Sequence, residues 1–269
     1  MTTRVKNEII NKYVDGQSVL SLSKEYGTNT VAIQNILDKN GVSKVSQAKR
    51  NNPLLVEDYF EKIDSPEKAY WIGWILTDGG VTKNSGLEIS LQCGDEYILD
   101  MLQKDLKITN HVKQFCDKYY RFSFACKKMQ KDLEQYGIVP NKTLTIKYPK
   151  NISDEYETHM LRGMFEGDGG LTVGVATRFS KQRGKSYTSP YRELSFTGTY
   201  DMCKGFHDAL MKYAVFSPKN ITRNRSMYRV RWSNINEVIS ILNVLYSGCG
   251  DHFLKRKYEL YKQIEGMCA

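Results

Sequence analysis

Apolar residues recur at helical spacing in three short runs near the start of the chain. In "VKNEIINKYVDG", Val5, Ile9, Ile10 and Tyr13 share one face and predict a helix. "SVLSLSKEYGTNTVAIQNILDKNG" predicts a short helix, a turn at Gly27 and a second helix with Val31, Ile33, Ile36 and Leu37 facing inward. Gly27 suits the left-handed conformation that ends one helix, and Thr28 or Asn29 would cap the next. Residues 44–65 begin polar and contain Asn51-Asn52-Pro53, which predicts a linker running into a short helix. Fully extended, such a linker reaches about 3.3 Å per residue.

From residue 66 the pattern repeats. "EKAYWIGWILTDGGV" (67–81) corresponds to "ETHMLRGMFEGDGGL" (157–171), and "LEISLQCGDEYILDMLQKDL" to "RELSFTGTYDMCKGFHDAL". "YYRFSFACKKMQKDLEQYG" corresponds likewise to "MYRVRWSNINEVISILNVLYSG". Each copy reads helix, two strands, helix, two strands, helix. In "YRVRW" the strand alternation puts Tyr228, Val230 and Trp232 on one face and Arg229 and Arg231 on the other. The copies differ in one place: the second carries an enlarged first hairpin, residues 171–192. The expected fold class is therefore α+β. It comprises a small all-α N-terminal domain (1–43), a linker (44–65) and two pseudo-symmetric αββαββα repeats (66–155 and 156–269).

Gly73 and Thr77 are four apart, as are Gly163 and Gly167, so each pair lies on one helix face. Small residues at that spacing let two helix backbones approach closely. Two such helices packed on these faces bring Asp78 and Asp168 together at their C-terminal ends. A carboxylate there meets the negative end of the helix macrodipole, and two carboxylates repel. On sequence grounds a divalent cation removes both penalties, and Mg²⁺ prefers carboxylate, water and phosphate oxygens. The alternative for either aspartate is an ordinary Asp-Gly turn.

"WIGWILTDG" and "LRGMFEGDG" resemble the two motifs of the single-chain LAGLIDADG homing endonucleases, and the resemblance covers roughly 65–265. It implies a monomer whose two halves form a strand-built saddle on double-stranded DNA, cutting both strands in the service of intron mobility. Asp78 and Asp168 would be its metal-binding acids, with Mg²⁺ or Mn²⁺, and Lys142 and Lys257 its basic residues. Gln92 and Thr197 are the nearest matches to a polar residue that positions water. The chain departs from the pattern at bulky Trp71, Trp74 and Leu76, and Glu166 has no acidic counterpart in the first motif. The N-terminal helices resemble the helix-turn-helix of the resolvase and invertase families, where Thr28, Thr30, Gln34 and Asn35 would reach a DNA groove. A purely structural mini-domain is the other reading.

The formal charge of +9 favours a polyanionic partner. Arg178, Lys181, Arg183, Lys185 and Arg192 lie in a stretch without acids, as do Lys219, Arg223, Arg225, Arg229 and Arg231. Spaced by two on strands, they would form rows that read bases or touch phosphate. The first repeat is less basic, with Lys83, Lys113, Lys118 and Arg121 beside Glu88 and Asp117. Six cysteines form no CxxC pair and four histidines no cluster, which predicts reduced thiols and an intracellular protein. No apolar run is long enough for a membrane helix. A DNA-binding regulator that lost cleavage and an RNA-splicing maturase remain open beside the nuclease. An intein is not expected.

Overall fold

The computed structural model describes residues 1–42, 46–84, 86–109, 111–180, 182 and 184–266. Three helices open the chain: α1 (Thr3–Val14), α2 (Val19–Glu25) and α3 (Thr30–Lys39), capped by Thr2, Ser18 and Asn29. Asn29, not Thr28, makes the last cap, accepting a hydrogen bond from the amide of Ala32 at 2.8 Å. Gly27 is left-handed, with φ +59°. Ile9, Tyr13, Leu22, Ile33 and Leu37 form an apolar core separate from that of the remainder. Val31, expected inside, is instead 65% exposed. It sits six residues before Leu37, about 120° round α3 from it, where the short bundle has nothing to cover it.

Beyond these helices lies a short helix, α4 (Gln47–Asn51). The segment that follows is not an extended tether. Leu55, Tyr59 and Phe60 are buried in the main core, and the amide of Val56 donates to Leu106 O at 3.2 Å. Three large apolar side chains in an otherwise polar stretch gain more by burial than by spanning solvent.

The first half contains α5 (Pro66–Thr77), β1 (Gly79–Val81), β2 (Gly86–Gln92), α6 (Glu96–Asp105), β3 (Val112–Cys116), β4 (Tyr119–Ala125) and α7 (Lys127–Glu134). The second contains α8 (Asp154–Asp168), β5 (Gly169–Ser180), β6 (Lys185–Gly198), α9 (Tyr200–Tyr213), β7 (Thr222–Asn224), β8 (Met227–Trp232), α10 (Ile235–Tyr246) and a further helix, α11 (Lys255–Gly266). The two four-stranded antiparallel sheets have matching orders, β1-β2-β4-β3 and β5-β6-β8-β7. The enlarged hairpin is present: β5 and β6 pair from Gly169↔Phe196 to Ser180↔Lys185, whereas β1 and β2 share three pairs. Leu87, Ile89 and Leu91 in one sheet, and Leu194, Phe196, Val230 and Trp232 in the other, face the core. The motif helices α5 and α8 lie at its centre, with every residue from Ala69 to Leu76 buried. Among the described residues no helix is long and apolar enough to cross a membrane.

Candidate active site

At Gly73 and Gly163 the seam between α5 and α8 is backbone against backbone, and at Gly167 the Thr77 side chain closes it. A methyl group added to Gly73 would lie 2.2 Å from Met160 O, and one added to Gly163 would lie 2.2 Å from Tyr70 O. At Gly167 it would meet the Thr77 hydroxyl at 2.1 Å. Thr77 turns that hydroxyl back onto its own helix, donating to Gly73 O and Trp74 O at 3.1 Å. The bulky residues of the first motif, Trp71, Trp74 and Leu76, are all buried. Trp71 donates through its indole to Asp105 at 2.7 Å, and Asp105 also contacts His252 Nε2 at 2.7 Å. Glu166 is fully buried and accepts from the Tyr70 hydroxyl at 2.7 Å, so it belongs to the core rather than to the site.

Asp78 caps α5 and Asp168 is the last residue of α8. Both open onto one cleft of about 460 Å³, shared with Asn141, Lys142, Thr199 and Met227. Asp78 Oδ2 lies 3.4 Å from the position of a methyl group at Gly167. The cleft walls strip water from Asp168 and Asp78 adds like charge, which together raise its carboxyl to about 6. The walls push Asp78 upward as well, against the pull of Lys257, Lys142 and Arg256.

Two lysines cap the negative helix ends. Lys142 donates to Leu76 O at 2.8 Å. Lys257 donates to Phe165 O at 2.7 Å, to Glu166 O at 2.9 Å and to Gly169 O. Both are buried, and burial lowers the first to about 8 and the second to about 7. The charge at the helix tips, for which the sequence suggests a cation, thus has partners within the chain as well. Lysine ammonium groups already supply part of the compensation. It is incomplete, since Asp168 remains well above an ordinary carboxyl.

The residues fit a divalent cation of the hard, oxygen-seeking kind. Two carboxylates with raised pKa values face a solvent-open cleft, and hard cations take oxygen ligands. Among the described residues no third His, Cys, Asp or Glu joins them, so water and phosphate oxygens would complete the shell. Gln92 and Thr197 are not among the residues lining this cleft. Gln92 is exposed, and its amide donates to Asp95 at 3.0 Å.

The strand registers sort the basic residues. In the second sheet Arg178 pairs with Tyr187, Arg229 with Thr197 and Arg231 with Ser195, all on the face away from the core. Arg192 pairs with Val173 and shares the parity of core-facing Leu194, and Arg223 pairs with Tyr228. A single row holding all of them is thus corrected: Arg192 and Arg223 fall on the other face. Arg225 sits in the β7–β8 turn with φ 55°. Lys181 and Arg183 lie outside the described residues. In the first sheet Lys113 pairs with Arg121 on the outer face, and Arg121 stacks 3.6 Å above the exposed Phe115 ring. Lys83 is exposed in the β1–β2 turn. On α3, Thr30 and Asn35 are exposed and Gln34 donates to Asp38 at 2.9 Å; Thr28, in the turn before it, is partly covered.

Sequence reasoning passed over Glu193. It contacts Arg229 at 3.2 Å and Arg231 at 3.6 Å, so the acid-free basic stretches still meet an acid across the sheet. Its signal was the aligned pair Glu88 and Glu193 in the repeat. Asp95 and Arg256, which join the two halves at 3.0 Å, carried no such signal.

At the level of sequence, no family model and no curated protein matches the chain. Solved structures do. The LAGLIDADG meganuclease I-AabMI bound to uncleaved DNA superimposes with a TM-score of 0.53 at 15% identity, covering 76% of this chain and 90% of that one. The I-LtrWI LAGLIDADG homing endonuclease bound to target DNA gives 0.51 at 12% identity, covering 79% and 91%. I-SmaMI, bound to an uncleaved DNA target in the presence of calcium ions, gives 0.51 at 15%, covering 76% and 90%. Paired motif helices, duplicated sheets and these superpositions together establish that the chain has the fold of the LAGLIDADG homing endonucleases.

Proposed function

We propose that the protein is a site-specific endonuclease that cuts both strands of duplex DNA. The observation that carries this reading is the pair of aspartates delivered into one cleft by two glycine-packed helices. Asp78 and Asp168 would hold Mg²⁺, or Mn²⁺ in its place. When bound, the cation would polarise the scissile phosphate and lower the pKa of a coordinated water. Each cut consumes one water: its oxygen bonds to phosphorus, one P–O ester bond breaks, and the leaving oxygen takes a proton. Lys142 supplies positive charge to the cleft, and Lys257 holds the end of α8 in place. Arg178, Arg229, Arg231, Lys113, Arg121 and Lys83 contact DNA from the outer sheet faces and turns, with Arg223 on edge strand β7 and Arg225 in the turn after it meeting phosphate; Arg192, on the other face of β6, takes no part.

The N-terminal module extends the recognised site. Exposed Val31 stands one turn from Asn35 on α3, an apolar group beside a polar one. That pairing suits a thymine methyl next to an adenine edge. A second reading, a DNA-binding regulator without cleavage, is favoured by the two lysine caps, which let the acidic site stand with no cation bound.

The two readings separate in one experiment. The protein is incubated with a library of duplexes and Mg²⁺, and the new ends are sequenced. Defined double-strand breaks that vanish in Asp78→Asn and Asp168→Asn, with binding retained, support the nuclease. Tight duplex binding without breaks in Mg²⁺ or Mn²⁺ supports the regulator. Preference for intron RNA over duplex DNA would point to a maturase and defeat both.

A further inference from the structure

The two sides of the motif-helix pair are not equivalent. By the repeat, Asn141 and Lys142 correspond to Arg256 and Lys257, and Thr199, which caps α9, corresponds to Asp95, which precedes α6. On the Lys142 side, Asn141 and Thr199 line the open cleft. Thr199 turns its hydroxyl away, donating to Ile146 O at 2.7 Å. On the Lys257 side the equivalent pair is joined. Arg256 Nε donates to both Asp95 oxygens, at 3.0 and 3.3 Å. Asp95 is 5% exposed, and the amide of Lys255 donates to the Tyr97 hydroxyl at 2.6 Å beside it. The lysines differ in the same sense. Lys257 directs three hydrogen bonds at carbonyls, which occupies all its donors, whereas Lys142 directs one and keeps donors for a phosphate.

We propose that the Asp95–Arg256 bridge is a latch over one of two unequal cutting positions. The strand whose scissile phosphate enters on the Lys142 side is cut first. The second cut waits for the latch to give way. This rests on the nuclease reading above. Both cuts are the same hydrolysis, with one water consumed and one P–O ester bond broken each time. Asp95 and Arg256 are positioning residues, because they touch neither acid. The electrostatic reach of the latch is consistent with this place: Asp95 and Arg256 both act on the Asp78 carboxyl.

The test uses the full chain and a duplex recovered from the cleavage library, with a different dye on each strand. Single-turnover rates in Mg²⁺ are read strand by strand from the same complex, so loss of folding or binding cancels in their ratio. The expected wild-type result is a nicked intermediate cut on one strand. Arg256→Ala and Asp95→Asn then speed the slow strand relative to the fast one by about fivefold, the equivalent of about 1 kcal/mol for a partly exposed ion pair. Asn141→Arg with Thr199→Asp grafts the bridge onto the open side and slows the fast strand. Without Mg²⁺, chemical footprinting of the bound duplex protects the first-cut phosphate more than the second. Equal strand rates, a ratio indifferent to Arg256→Ala and Asp95→Asn, or equal protection overturns the latch. If no duplex is cut at all, the nuclease reading falls instead.

Discussion

The first hairpin of one half and the first hairpin of the other begin at the same point, just after a motif aspartate, and then part company. β1 is three residues long and turns back at once; β5 is twelve and carries its sheet far past the core. Gly174, on the long strand, has open space around it, whereas Gly73 and Gly163 touch the facing backbone. The helices that set the aspartates are held by packing that tolerates no added atom, while the strands that follow are limited mainly by solvent. The position of the aspartates is fixed by the first region, and the extent of exposed sheet is free to vary in the second.

The contrast breaks most visibly at the glycines. Gly73→Ala or Gly163→Ala should cost about 3 kcal/mol, because a methyl would be driven into a main-chain carbonyl. Gly174→Ala should lie within about 0.5 kcal/mol of the parent. Urea titration of the three variants decides between them, and equal midpoints would mean that the seam is not tight. Next come the lysine caps. Lys257→Ala strips three carbonyls of their donor and Lys142→Ala one, for about 3 and about 1 kcal/mol respectively, on the same titration.

The lysines also predict a pH trend. Each has a folded-state pKa below its unfolded value, so the unfolded chain binds more protons between the two. Stability should therefore rise with pH from about 7, through the window set by Lys257, toward the ordinary lysine range. Lys257→Met should flatten that rise. Cation affinity moves over a different range. Asp168 must be ionised to bind, so Mn²⁺ affinity, followed by the metal's magnetic resonance, should drop about tenfold per pH unit below about 6. The smallest effects fall on the sheets. Arg231→Ala and Lys113→Ala should each lower the salt slope of duplex binding by about 1 without altering the preferred sequence.

Much of this architecture could be read from residues alone. Small residues four apart and an aspartate at the end of each helix were enough to place the seam and the acids, since helical geometry converts spacing directly into a face. The length of the second hairpin was also legible, as a gap between the copies. Its register was not. Whether Arg192 lies with Arg178 depends on how β5 pairs with β6, and a slip of one residue reverses every side chain. Glu193 meeting Arg229 needed a second register, that of β6 with β8. Asp95 and Arg256 are 161 residues apart, and only the docking of α11 against the first half brings them together. Lys142 and Lys257 came through the family resemblance, because a lysine that ends its reach on a carbonyl leaves no local pattern.

Because the motif helices meet through main-chain atoms at Gly73 and Gly163, the spacing of the two aspartates is set by backbone contact rather than by interchangeable side chains. Mutation elsewhere can reshape either sheet without detuning that spacing. A half taken from another molecule with the same seam should therefore dock in register, so that sheet surfaces can be exchanged as cassettes while the aspartate spacing stays constant.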